Sequence, residues 1–305
     1  MLHRAPPGLR PTLGAAGTVC VVALALAVAH VLARGAPHPP FSPRVPHAAA
    51  LDGFDFRRSA AAQVRLPHVL REISDLAVTS DGRMFAVGDE QAVVFELDVQ
   101  RGAIVKEFAL GAPAVRADFE GIAVAEGRVF LLTSAGILYE AREGADRTAV
   151  PYATYDTGVG ARCELEGLAY DPADHALLLA CKASHAAVRR DVITVARWSI
   201  PGRGLLPAGR PAPSVASATR GTDARDFNPS AIAREPRSGH WVLVAGRQRL
   251  LAELAPDGAV IAVRTLDRRL HPQPEGIAFL GDTAVFISDE GGGGRATLTR
   301  YSRVR

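Results

Sequence analysis

Five short segments of this 305-residue chain hold the side chains best spaced to act together. They are Ile73-Ser74-Asp75-Leu76-Ala77, Phe119-Glu120-Gly121-Ile122-Ala123, Leu165-Glu166-Gly167-Leu168-Ala169, Pro229-Ser230-Ala231-Ile232-Ala233 and Pro274-Glu275-Gly276-Ile277-Ala278. Their second positions are Ser74, Glu120, Glu166, Ser230 and Glu275, three carboxylates and two hydroxyls at one place in a repeat. If the segments build equivalent elements around an axis, these groups face one another at one level. Carboxylates held together either bind a cation or give up their charge. Oxygen donors suit Ca²⁺ or Mg²⁺, so Glu120, Glu166 and Glu275 are candidate metal ligands, with Ser74 and Ser230 as ligand contacts. The competing reading is structural, each carboxylate accepting backbone N–H bonds from the next repeat.

A second set lies further along each repeat: Asp89 and Glu90, Ser134, Lys182, Arg247, then Asp289 and Glu290. Its mixed signs would hold a charged small ligand, or would pair in solvent. Signatures of catalysis are absent. There is no Gly-x-Ser-x-Gly elbow, no His-Glu-x-x-His pair and no dinucleotide fingerprint in a strand–helix context. Gly291 to Gly294 is a lid or a hairpin tip, not a phosphate loop, since no Lys-Ser/Thr follows. His68, His175, His185, His240 and His271 stand near turns and are expected to be solvated.

The elements that must position these groups follow from the repeat. Counted between closing alanines, its intervals are 46, 46, 64 and 45 residues. The long interval contains an insertion of about 18 residues between Gly202 and Arg225, rich in Gly, Pro, Ser and Arg, which reads as a surface loop. After each segment comes a polar turn and a continuously apolar run, such as Arg128-Val129-Phe130-Leu131-Leu132 or Ala176-Leu177-Leu178-Leu179-Ala180. A run apolar at every position is a strand buried on both faces. More alternating and then more polar strands follow, as in Val93 to Leu97 and Ile104 to Phe108. Four strands per repeat, growing more polar outwards, is the period of a propeller blade. The expected fold is all-β, a five-bladed β-propeller with one N-terminal transmembrane helix; six blades are the alternative. The fifth repeat runs out after its third strand, Thr297 to Tyr301, while residues 60–66 have no blade of their own. They are expected to complete the last blade and cover its edge.

The wording of these repeats resembles the SdiA-regulated, or YjiK/CarP, family. The resemblance rests on Glu72-Ile73-Ser74-Asp75-Leu76, Asp118 to Ala123, Leu165 to Pro172 and Pro274 to Ala278, and spans about residues 60–303. It implies a bacterial propeller behind one membrane segment, with a link to calcium or to phytase-like chemistry. The insertion and the four-glycine run depart from the family pattern.

The N-terminal region supplies the membrane segment. Residues 11–33 contain no charged side chain apart from a protonatable His30. As a helix, 23 residues reach about 34 Å, enough for a hydrocarbon core of about 30 Å. Arg4 and Arg10 place the preceding end in the cytoplasm. The expected domains are a cytoplasmic tail at 1–10, a signal-anchor at 11–33 in contact with the bilayer, a Pro-rich linker at 34–50 and the propeller at 51–305. Cleavage after Ala27-Val28-Ala29 is the competing reading. Both put the propeller outside the cytoplasm; the anchored form sits in the inner membrane and faces the periplasm. There Cys163 and Cys181 form either a disulfide across a hairpin centred on residue 172 or two buried thiols. The net charge of +3 is small and scattered, which argues against nucleic acid. The expected function is binding of a small-molecule ligand, a protein partner or a divalent cation, with Ca²⁺ as the candidate cofactor and no enzymatic role favoured. The alternative is a metal-dependent, phytase-like phosphoesterase.

Overall fold

The computed structural model describes residues 48–185, 191–207 and 212–304. The expected tail, the anchor 11–33 and all of the linker but residues 48–50 lie outside them. Among the described residues no helix is long and apolar enough to cross a membrane.

The described residues form five sheets. Blade one contains β2 (Ile73–Val78), β3 (Met84–Gly88), β4 (Val93–Asp98) and β5 (Ala103–Leu110), reinforced by β9 (Thr148–Val150). Blade two is β6 (Phe119–Ala125), β7 (Arg128–Thr133), β8 (Ile137–Ala141) and β10 (Tyr152–Asp156). Blade three is β11 (Cys163–Asp171), β12 (Ala176–Ser184), β13 (Val195–Ser199) and the short β14 (Gly204–Leu205). Blade four is β15 (Ala231–Arg234), β16 (Trp241–Ala245), β17 (Leu250–Leu254) and β18 (Val260–Thr265). Blade five is β19 (Pro274–Leu280), β20 (Ala284–Asp289), β21 (Thr297–Ser302) and, from the other end of the chain, β1 (Ala61–Arg65). Ladders within the blades are antiparallel; among the described strands β9 alone pairs in parallel, with β5. The first strands touch in the cycle β2, β6, β11, β15, β19 and back to β2. The ring therefore has five blades, not six.

The apolar middle strands hold it together. Along β12, Leu177 and Leu179 pack with Phe130 and Leu132 of blade two, while Leu178 and Ala180 pack with Leu243 and Ala245 of blade four. Successive side chains of a strand leave opposite faces, so each middle strand feeds two interfaces. Five such clusters lie between the five pairs of neighbouring blades.

Closure is as expected. β1 pairs with β21 from Ala61↔Tyr301 to Arg65↔Thr297. Gln63 Nε2 donates to Thr299 Oγ1 at 2.9 Å and to the Leu270 carbonyl at 3.0 Å. The fully buried Glu253 of β17 accepts from the N–H groups of Ala50 (2.7 Å) and Leu51 (2.9 Å), and also pairs with His240.

Three local expectations are corrected. The insertion is not wholly a surface loop. A one-turn helix, α1 (Val215–Ala218), is capped by Ser214, whose Oγ accepts from Ser217 N. Ala218 and Phe227 are buried between blades three and four. His240 and His271 are buried rather than solvated; the buried carboxylates of Glu253 and Asp289, to which they pair, offset the lost water. Cys163 and Cys181 form a disulfide, but they are not directly opposite. Their ladder partners are Ser184 and Leu165. A register shift around Leu165 brings the two sulfurs together diagonally. The four-glycine run is the hairpin tip between β20 and β21.

Candidate functional site at the channel mouth

The first strands of blades one, two, three and five each carry a register shift. It falls between Ile73 and Asp75, between Phe119 and Gly121, across Glu164 to Leu168, and between Pro274 and Gly276. A bulge leaves one residue out of the ladder and re-aims its side chain. The residues displaced include Ser74, Glu120, Glu166 and Glu275. The repeated position read from the sequence is therefore a repeated bulge beside the axis.

The next residue explains the narrowness of the axis. It is Asp75, Gly121, Gly167, Ala231 or Gly276. A Cβ on Gly121 would lie 2.7 Å from Leu168 Cβ, and one on Gly167, where φ is +91°, would lie 2.8 Å from Ala231 Cα. Blade one breaks the pattern. Asp75 is fully buried, and its carboxyl accepts from Leu76 N at 2.8 Å, Ile122 N at 3.1 Å and Leu168 N at 3.3 Å. One side chain thus ties together the first strands of blades one, two and three. Burial drives its pKa well up, against these three N–H donors. Beyond this level the channel has apolar walls, including Ala77, Ala123, Ala169, Ala233 and Ala278.

On the bulge side the mouth is charged. A cavity of 430 Å³ is lined by Glu164, Glu166, Lys182, Asn228, Ser230, Arg247, Arg249, Gln273 and Glu275. Lys182 Nζ pairs with Glu166 and lies 3.4 Å from Glu164. Burial, then the charges of Glu166 and Asp118, push Glu120 up to about 9. Burial and the charges of Glu166 and Glu290 push Glu275 up to about 8. Burial raises Glu166 to about 7, with Lys182 opposing. Burial alone would lower Lys182, but Glu166, Glu164 and Glu120 hold its ammonium above the ordinary lysine range. Glu120, Glu166 and Glu275 thus sense one another's charge, as residues converging on one axis must.

The metal expectation fits this donor set poorly. Among the described residues no group of three His, Cys, Asp or Glu is arranged to hold a metal ion. The positive charge between the carboxylates is the Lys182 ammonium.

The remaining sequence candidates are divided. Ser230 lines the cavity, and its Oγ donates to the Pro274 carbonyl at 2.9 Å. Arg247 lines it from an exposed position. Ser74 is buried on its bulge and does not line this cavity. Asp89 and Glu90 open on a separate depression beside Arg71 and Glu72, where burial and the charges of Glu72 and Glu90 raise Asp89. Glu290 is raised by burial and by Asp89 and Glu72. Asp289 faces inwards. It pairs with His271 Nδ1 at 2.7 Å, and His271 Nε2 meets Tyr301 Oη at 2.8 Å, all three groups being buried. Sequence reasoning missed Asp75, although its departure from a Gly/Ala position was visible. It also missed Asn228, which donates to the Lys182 carbonyl at 3.1 Å and accepts from Gln248 at 2.7 Å.

No protein-family model and no curated protein matches the chain. Solved structures do. Glutaminyl cyclase from Myxococcus xanthus is 19% identical over 80% of this chain and 97% of its own, with a TM-score of 0.53. The likeness is one of fold. A streptogramin B lyase (12% identity, 83% of this chain, 100% of the other, TM-score 0.48) aligns less closely. So does the PQQ-bound aldose sugar dehydrogenase of Streptomyces coelicolor (14%, 79%, 98%, 0.49).

Proposed function

We propose that this protein is a membrane-tethered, extracytoplasmic propeller of the SdiA-regulated type that binds a small polar ligand at the mouth of its channel. The carrying observation is the 430 Å³ cavity to which blades three, four and five contribute charges of both signs. Concave sites with a few convergent polar groups are the usual form of a small-molecule site. The uncharged run 11–33 supports the tether. The Cys163–Cys181 disulfide supports an oxidising compartment such as the periplasm.

The test is a thermal-shift screen of the full chain in detergent against small polar compounds. A ligand of this site raises the melting temperature of the parent and loses that effect in Glu275→Gln and in Arg247→Ala. If no compound separates parent from variants, the reading fails. Calcium enters the same screen: a calcium-linked role requires a melting shift that Glu120→Gln together with Glu166→Gln removes. The phosphoesterase alternative requires metal-dependent release of phosphate from a phosphomonoester by the purified chain.

A further inference from the structure

The charges around the cavity differ in how they are matched. Lys182 serves two carboxylates, Glu166 by direct pairing and Glu164 at 3.4 Å. Glu275, on the adjoining wall beside Gln273, and Glu120, outside the cavity lining, have no ion-pair partner among the described residues. Each feels the negative charge of Glu166. Both are half-buried, and a carboxylate withdrawn from water without a cationic partner favours its neutral acid form. Lys182 acts on both from a distance but forms no ion pair with either, so a guest ammonium group beside Glu275 would supply the direct partner it lacks.

The opposite sign is also left over. Arg249 is engaged, its Nε donating to the His271 carbonyl at 3.0 Å and its Nη2 to the Pro272 carbonyl at 3.1 Å. Arg247 lines the same cavity, is exposed and makes no ion pair among the described residues. Its guanidinium fork suits a carboxylate. A purely anionic guest would meet Glu275 and Glu166; a purely cationic guest would leave Arg247 without a partner.

We infer that the ligand of this cavity is a zwitterion, with its ammonium directed to Glu275 and its carboxylate to Arg247: an amino acid or a related amino-carboxylate. This rests on the ligand-binding reading above. Binding shifts the Glu275 carboxylic acid towards its charged form, so protons leave the complex. The groups that set this response are Asp118, Glu120, Glu164, Glu166, Lys182, Gln273, Glu275 and Glu290.

The experiment is calorimetric titration of the full chain in detergent with linear ω-amino acids from glycine to 6-aminohexanoate, alongside the matched alkylamines and alkylcarboxylates. At least one amino acid is expected to bind at least tenfold more tightly than its amine, with no binding by its carboxylate. Two buffers of different ionisation enthalpy at pH 7.5 should reveal proton release. Glu275→Gln should weaken the zwitterion tenfold or more. Arg247→Ala, at an exposed position, should reduce it to the affinity of the amine. Tighter binding of the carboxylate than of the amino acid, or equal binding by the amine, overturns the zwitterion assignment and leaves the cavity as a ligand site. If nothing binds from this set and the polar-compound screen is also blank, both readings fall.

Discussion

Asp75 places a carboxyl group where the other blades place only glycine or alanine, and three backbone N–H groups depend on it. Asp75→Ala should leave these donors unsatisfied and cost about 3–5 kcal/mol, whereas Asp75→Asn, which keeps one accepting oxygen, should cost less. Urea unfolding of the variants checks the order; equal, small losses would show that the contact contributes little. Glu120 and Glu275 have a different signature. Folded, they keep their protons up to about 9 and about 8; in the unfolded chain they lose them near pH 4.3, the ordinary value for about any exposed glutamate. Between those limits the unfolded state binds fewer protons, so stability falls as pH rises. The melting temperature should decline from pH 6 to pH 9, and Glu120→Gln with Glu275→Gln should flatten that decline. An unchanged slope in the double variant would assign the pH response to other groups.

At the scale of elements, the bulge does most to shape the site. It recurs in blades one, two, three and five, takes the second residue of the repeat out of the ladder, and in blades three and five leaves that residue, Glu166 or Glu275, lining the cavity. In blade three the bulged hairpin is also cross-linked. Cys163 precedes Glu164, and Cys181 precedes Lys182, so the disulfide borders the ion pairs that Lys182 makes. The bridge spans 18 residues of sequence, and a closed loop of that size is worth about 3 kcal/mol. Cys163→Ser with Cys181→Ser should therefore lower the urea midpoint measurably, and reductant should do the same to the parent but not to the variant. If reductant leaves the parent's midpoint unchanged, the cross-link adds no stability.

For the molecule as a whole, stability depends on closing the circle. Each middle strand is apolar on both faces only because it has a neighbour on both sides. A ring lacking β1 would expose the edge of β21, a template for pairing with another chain. Deleting residues 51–66 removes β1 together with the Leu51 amide held by Glu253. That deletion should abolish monomeric, cooperatively melting protein, as judged by size-exclusion chromatography and a melting curve. A normal monomer with a sharp transition would mean that closure is dispensable.

Much of this architecture could be read from the chain itself. The repeat lengths, the doubly apolar strands and the spare segment before the first repeat determined a five-bladed ring closed by its own N-terminal strand, because local patterning dictates which faces must be buried. The sequence also aligned Glu120, Glu166 and Glu275 at one level of that ring, since equivalent positions in a cyclic repeat have equivalent radii. It could not decide which charges meet. Lys182 reaches Glu166 because a bulge in β11 offsets the hairpin ladder, and Asp289 turns inwards to His271 in the turn just before β19. Asp75 can tie three blades because their first strands come within reach of its one side chain. The first two contacts depend on single-residue offsets within one hairpin and the Asp75 contacts on strands far apart in the chain, and only the folded ring fixes both.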